Sequence, residues 1–217
     1  MTHETNLSNK DAKVGIVLLA AGASSRMGTP KQLLKLQGVS LVRRAAGHAL
    51  DSGCEPVVVV LGANAEMIAS ELNGLAVSIA VNREWAAGMS SSIRCGLQAL
   101  LALDPHLKAV ILFLGDQPNV TRNSLQRLTT AHVQSGSALV AASYSGRIGT
   151  PAFFSRVFFD ELSQLDGQGG AKSFLERHAA GVLAIDIPEA AWDLDTPEDV
   201  ANFGNGQELS LQVRHPI

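Results

Sequence analysis

Cysteine is nearly absent: Cys54 and Cys95 are the two among 217 residues, and neither belongs to a C-x-x-C pair. A disulfide framework and a cysteine-built metal knot are thereby excluded, and two small, partly buried side chains are expected instead. His48, His106, His132 and His178 stand in or near helical stretches, none at a zinc-site spacing from another His or Cys, and are read as structural or surface residues. No apolar run approaches the roughly 20 residues that span a bilayer, so no membrane partner is expected. The residues before Lys13 are polar, so no secretory signal is expected and the cytoplasm is the expected location. Neither charge sign dominates: 17 Lys and Arg against 20 Asp and Glu leave a net charge of −3. With aromatics at 5% and no basic–aromatic patch, a nucleic-acid partner is not expected. No G-x-S-x-G and no Ser/His/Asp order point to a hydrolytic nucleophile.

A hydrophobic content of 46% over 217 residues suits one soluble globular domain, 1–217, with a full core. Apolar runs alternate with helix-period stretches. Strands are expected at Val14–Leu19, Val57–Leu61, Ala76–Val81, Ala109–Leu114 and Leu139–Ser143. Helices are expected at Ser40–Leu50, Ala65–Leu72, Ser90–Leu103, with Ile93, Leu97 and Leu100/Leu101 on its buried side, and Thr121–Gln134. That alternation predicts an α/β fold, a mostly parallel sheet covered on both faces. After residue 144 the rhythm changes. Gly146, Gly149 and Pro151 break the chain before Phe153, residues 155–165 and 171–179 look helical, Val182–Ile187 reads as a late strand and Thr196–Phe203 as a short helix. The tail, 204–217, has no clear assignment.

The most informative stretch follows the first strand: Ala20-Ala21-Gly22-Ala23-Ser24-Ser25-Arg26-Met27-Gly28, then Thr29-Pro30-Lys31. Small side chains let backbone N–H groups converge on oxygens, and Arg26 and Lys31 add two fixed positive charges, so a polyphosphate ligand is expected. The spacing fits neither G-x-G-x-x-G nor G-x-x-x-x-G-K-[ST]. A second segment, Gly115-Asp116-Gln117-Pro118, follows the apolar run Ala109–Leu114. In open α/β sheets ligands bind beyond the carboxyl ends of strands, where both segments fall. Asp116 opposite a triphosphate suits a Mg²⁺ ion, although the tetrapeptide alone also reads as a turn. Asp193-Leu194-Asp195-Thr196-Pro197-Glu198-Asp199 opens a helix conventionally, but capping does not need both Asp193 and Asp195. Asn82-Arg83-Glu84-Trp85-Ala86-Ala87-Gly88-Met89-Ser90-Ser91-Ser92 leads into a helix N-terminus, which presents unpaired N–H groups; serine capping is the plainer account.

The run from Leu18 to Lys31, L-x-A-A-G-x-S-x-R-M-G-x-x-K, resembles the signature loop of nucleotidyltransferases related to molybdenum cofactor cytidylyltransferase and to the molybdopterin guanylyltransferases. The likeness extends to Asp116 in G-D-x-P, to the stretch from Asn82 to Leu97, and to D-x-D-T-P-E-D. It implies a three-layer αβα fold with a mostly parallel, mixed sheet, the nucleotide-diphospho-sugar transferase-like variant of the Rossmann fold. It implies that the nucleotide lies along Leu19, Ala20, Ala21, Gly22, Ala23, Ser24, Ser25 and Gly28, and along Asn82, Gly88, Met89, Ser90 and Ser91. Lys31 and Arg26 would meet phosphate, and Asp116 and Asp195, the latter favoured over Asp193, would hold Mg²⁺. Residues 13–144 would form the nucleotide-binding half and 145–203 the acceptor-side portion. Trp85 either packs under its loop or stacks on a base. Ala21, glycine in guanosine-using relatives, tilts the expectation toward CTP. The chain departs from the family at Thr150, Gln168 and Lys172, which bears on the acceptor.

The implied reaction is transfer of CMP from CTP to a phosphorylated acceptor, by family default molybdopterin, with release of pyrophosphate and delivery to a molybdenum enzyme. Two alternatives stand beside it: a non-catalytic nucleotide- or cofactor-binding chaperone for such an enzyme, and a nicotinamide-dependent oxidoreductase, which the missing G-x-G-x-x-G disfavours.

Overall fold

A computed structural model describes residues 13–24, 27–194, 198–199 and 209–210. Its centre is a run of strands too apolar to face water on either side. Strand β1 (Val14–Ala20) is buried along its whole length. It pairs in parallel with β4 (Val57–Leu61) on one side and β6 (Ala109–Leu114) on the other, with Leu18 level with Val59 and Phe113. Such doubly buried runs are what a central parallel strand requires. Strand β5 (Ser78–Val81), alternating partly buried with exposed, forms one edge.

The seven-stranded sheet has the order β5-β4-β1-β6-β8-β7-β9, where β7 is Leu139–Tyr144, β8 Arg147–Ser155 and β9 Leu183–Asp186. Strand β8 runs antiparallel to both neighbours, and β9 is parallel to β7. The sheet is therefore mixed and mostly parallel, as expected. Strand β8 itself corrects the reading of 146–154 as a break in the chain: it is a nine-residue strand buried on both faces from Gly149 to Phe154. Its register against β7 shifts between Ala141 and Ala142, which absorbs the Gly149–Pro151 irregularity that looked like a terminator.

Alternate side chains divide the core. Ile16, Leu18 and Ala20 face α1 (Leu41–Asp51), α2 (Ala65–Glu71) and α4 (Arg122–Ser135). Val17, Leu19 and Ala21 face α3 (Met89–Leu103), α5 (Phe159–Ser163) and α6 (Gly170–Arg177). On α3 the buried side is Ile93, Leu97 and Leu100, while Leu101 is only partly buried. Gly96 lets α3 lie directly on the sheet: a Cβ there would stand 2.4 Å from Val17 Cγ1 and 2.8 Å from Val60 Cγ2. Thr121 precedes α4 as its N-cap, and Ser124 Oγ accepts from the Thr121 amide at 3.2 Å.

A small second sheet, β10-β2-β3, combines β2 (Lys35–Leu36), β3 (Val39–Ser40) and β10 (Leu209–Ser210). Sequence periodicity assigned none of these, and β10 falls in the tail left unassigned. The expected helix Thr196–Phe203 lies mostly outside the described residues, with Glu198 and Asp199 helical.

Candidate active site

Because β1 and β6 are adjacent and parallel, the segments after them open on the same edge of the sheet. The Gly115 amide donates to the Leu19 carbonyl at 3.0 Å, which fixes Asp116 beside the loop after β1. The Leu194 amide donates to the Asp116 carbonyl at 3.2 Å and brings Asp193 to the same place. A cleft of about 630 Å³ results, lined by Leu19 to Ala23, Lys31, Gln32, Trp85, Gly88, Met89, Ser92, Asp116, Gln168 and Asp193, among others.

The loop is built around a residue that the sequence reading passed over. Gln32, 3% exposed, donates through Nε2 to the Ala20 carbonyl at 3.1 Å and the Gly22 carbonyl at 2.8 Å. Its Oε1 accepts from the Ser24 hydroxyl at 3.3 Å, and Ser24 Oγ accepts from the Lys31 amide at 2.9 Å. Ser24 takes the left-handed backbone, φ 54°, which closes the curl. The side chain of Gln32 thus ties down both ends of Ala20–Ser24 and sets the start of the Lys31–Leu33 turn. No periodicity or motif marks a buried glutamine in this position.

Lys31 Nζ lies 2.5 Å from Asp116 Oδ2, with the two side chains only 15% and 19% exposed. Asp116 Oδ1 is buried and has no hydrogen-bond partner. Asp193 lines the cleft and faces Arg147 Nη2 at 3.7 Å. Beside them the Tyr144 phenol is pushed above its ordinary pKa, first by burial and then by the charge of Asp193, with Asp116 contributing. Gln117, also buried, donates to the carbonyls of Thr150 and Ala190 at 3.2 and 3.0 Å and so fastens the β6 turn to β8. Among the described residues no three His, Cys, Asp or Glu side chains form a metal cluster. Two carboxylates at one cleft, one with a buried unpartnered oxygen, are nevertheless the hard oxygen donors that suit a divalent cation completed by phosphate oxygens. Ser25, Arg26 and Asp195 lie outside the described residues, and Gly28, in the left-handed backbone at φ 69°, is not among the residues lining the cleft.

The opposite wall is the entry to α3. Gly88 holds φ 111° at the helix N-cap, a conformation that favours glycine. Gly88 and Met89 line the cleft, and so does Ser92. Asn82, Ser90 and Ser91 are buried and make internal hydrogen bonds. Asn82 Nδ2 donates to Ser91 Oγ at 2.8 Å and Ser92 Oγ at 3.0 Å, the Ser91 hydroxyl donates to Gly88 and Glu84 carbonyls, and the Ser90 hydroxyl donates to the Asp166 carbonyl at 2.9 Å. These three shape the wall, and of the serines Ser90 to Ser92 it is Ser92 that lines the cleft. Trp85 sits with its Cβ close against Gly62, after β4, where an added Cβ would lie 2.6 Å away, and the residue, 36% exposed, lines the cleft. Gln168 enters the same cleft and donates to the Ala87 carbonyl at 3.3 Å. Lys172 instead faces Glu176 on the exposed side of α6 at 3.9 Å.

Residues 16–182 match the model of the MobA-like NTP transferase domain. The chain belongs to that family. Membership makes it a nucleotidyltransferase, in agreement with the resemblance carried by the Leu18–Lys31 loop. Among curated proteins, Nicotine blue oxidoreductase of Paenarthrobacter nicotinovorans is 36% identical to this transferase over 196 residues, 85% of the chain and 93% of that protein. Among solved structures, the homologue of Mycobacterium tuberculosis rv0371c from Mycobacterium sp. strain JC1 superposes with a TM-score of 0.78 at 30% identity, covering 90% of this chain and 96% of that one. Rv0371c of Mycobacterium tuberculosis H37Rv, solved in complex with manganese, gives 0.73 at 26% identity over 88% and 97%.

Proposed function

We propose that the transferase moves CMP from CTP to a phosphorylated small-molecule acceptor, molybdopterin by resemblance, and releases pyrophosphate. The observation that carries this reading is the meeting of Lys31 and Asp116 at the mouth of the Ala20–Ser24 loop, opposite the N-terminus of α3. An acceptor phosphate oxygen attacks the α-phosphorus, a new P–O bond forms, and the bond to the β-phosphate bridging oxygen breaks, so that its electron pair leaves with pyrophosphate. An already ionised acceptor phosphate needs no general base. The protein aligns the two phosphates and neutralises charge as it builds.

In this reading Lys31 stabilises the triphosphate and the departing pyrophosphate, with Arg26 beside it. Asp116, helped by Asp193 or Asp195, would hold Mg²⁺, which when bound supplies charge neutralisation at the reacting phosphate. The manganese complex of Rv0371c supports a divalent-cation site of this kind. The acceptor enters from the side of Gln168 and Asp193, within the portion 145–203. A molybdenum enzyme would receive the product. Ala21, 7% exposed on the cleft wall, carries a methyl that narrows the space beside the base and favours the pyrimidine. Misfit of this size amounts to about 1–3 kcal/mol, so selectivity is partial.

The test is a pairwise screen: CTP, GTP, ATP and UTP, each with molybdopterin and Mg²⁺, with pyrophosphate detected. Pyrophosphate from CTP plus acceptor, and a lower CTP-to-GTP ratio of kcat/KM in Ala21→Gly, are the expected results. Binding without pyrophosphate release with any of the four is the result of a chaperone and overturns the transfer reading. The name of the 36% identical relative favours one further reading, oxidoreduction. Turnover of NADH or NADPH in place of pyrophosphate release would decide for it.

A further inference from the structure

The Lys31 ammonium stands 2.5 Å from the Asp116 carboxylate, and both side chains are mostly out of water. Both main chains are fixed. The Lys31 amide donates to Ser24 Oγ at 2.9 Å, and its carbonyl accepts from the Leu34 amide at 3.0 Å. The Asp116 carbonyl accepts from Leu194. Of the two side chains, that of Lys31 is the longer and has the more rotatable bonds. Nucleotidyl transfer asks each of these groups for something different: a phosphate contact from Lys31, a metal contact from Asp116. An ammonium held against a carboxylate repels a divalent cation approaching the same oxygens, and the repulsion is strong where water is scarce. The buried Oδ1, which has no hydrogen-bond partner, belongs to the same carboxylate whose charge the ammonium already offsets. A triphosphate in the cleft offers Lys31 an anion of higher charge.

We infer that Lys31 guards Asp116. Without nucleotide it keeps the metal position closed, and triphosphate binding draws its ammonium away and opens Asp116 to a divalent cation. The inference rests on the nucleotidyl-transfer reading and adds an order to it: nucleotide before metal at Asp116. Lys31 is then a positioning residue for the metal as well as a phosphate contact.

The experiment measures Mn²⁺ binding by the electron paramagnetic resonance signal of the unbound ion. The proteins are the full chain, Lys31→Met, Lys31→Arg, Asp116→Asn and the double variant Lys31→Met/Asp116→Asn, each with and without the α,β-methylene analogue of CTP. Circular dichroism on the same samples reports folding. Without nucleotide, Lys31→Met is expected to bind Mn²⁺ about tenfold or more tightly than wild type, since a unit charge has left a poorly hydrated site. Lys31→Arg is expected to stay with wild type, and the double variant to lose the gain. The analogue is expected to tighten Mn²⁺ in wild type beyond what it does in Asp116→Asn. Folded Lys31→Met that binds Mn²⁺ no better than wild type overturns the guard, and so does wild type that binds Mn²⁺ equally well with and without the analogue. Should Lys31→Met not fold, that second comparison decides alone. In either case Asp116→Asn separates the two levels: if it holds the Mn²⁺–analogue pair as tightly as wild type, the metal role of Asp116 has failed, and if it loses the pair while Lys31→Met gains nothing, the guard alone has failed.

Discussion

Gln32, which no motif position names, ties the Ala20–Ser24 loop together. Its side chain makes three hydrogen bonds that span 8 to 12 residues of sequence, two of them to the Ala20 and Gly22 carbonyls. Gln32→Ala strands the Ala20 and Gly22 carbonyls, and a buried group without a partner costs about 1–3 kcal/mol. Urea unfolding is expected to register a loss of that order, and KM for nucleotide to rise because the loop loses its shape. Unchanged KM together with lost stability would make Gln32 a core residue with no bearing on the loop. The motif made Gly22, Ser24, Lys31 and Asp116 legible because small residues, a fixed charge and a strand-end carboxylate have plain chemical uses. It could not reveal what Gln32 and Gln117 hold. Their work depends on which carbonyls happen to face them, and that is decided by the fold rather than by spacing along the chain. Asn82, Ser90 and Ser91 show the converse. Their residue types suit a ligand, yet their hydrogen bonds go to their own loop and to the 166–170 segment.

Among the elements, the best-read were those that a single period fixes. The runs Val57–Leu61 and Ala109–Leu114 match β4 and β6 to the residue, since an all-apolar run of five or six between polar turns has little choice. Strand β8 was lost to Gly149 and Pro151, whose local preferences are overridden by pairing with β6 and β7 on both sides. The hairpin β2–β3 was lost because strands of two residues have no period. Helix α3 carries a prediction. Gly96→Ala would place its methyl inside the space of Val17 and Val60, both fully buried and β-branched. Overpacking of this kind costs about 1–3 kcal/mol and exceeds the gain of roughly 1 kcal/mol from better helix propensity. A lower Tm in Gly96→Ala, recovered in part by adding Val17→Ala, is expected. A second prediction belongs to α5 and α6. Glu161 accepts from Arg177 Nη2 at 3.0 Å and meets His178 Nε2 at 2.8 Å, joining the two helices. Burial works against its charge, but the hydrogen bonds from Arg177 and His178 outweigh this and hold its carboxyl below the ordinary 4.5. A lowered folded pKa gives stability that is present above the unfolded value and lost as pH falls through the folded one. Wild type and Glu161→Gln are therefore expected to differ in stability at pH 6 and to converge as the pH drops below 4.5. A constant difference down to pH 3 would count against the linkage.

At the scale of the whole molecule, one cleft is lined from both parts of the chain: Ala20 to Ala23 and Met89 from the early βα units, Gln168 and Asp193 from the later part. A ligand that fills it touches the ends of β1 and β6, the start of α3 and the segment before α6, so binding is expected to stabilise the fold as a unit rather than one loop. The size follows from mass action. A ligand at 100 times its Kd adds about 2.7 kcal/mol to the folded state. For a chain of 217 residues each kcal/mol moves Tm by about 2–4 °C. CTP with Mg²⁺ is therefore expected to raise Tm by roughly 5–10 °C at that saturation. Asp116→Ala should keep the parent fold, because its carboxylate sits at a strand end on the cleft, and should lose the metal-dependent part of the shift. The same scan with NADH or NADPH separates the two chemistries that the relatives suggest. A shift with CTP that needs Asp116, and none with either nicotinamide, is what a nucleotidyl-transfer cleft requires. A nicotinamide shift that survives Asp116→Ala, with no response to any nucleoside triphosphate, would mean that this cleft has been turned to the other use.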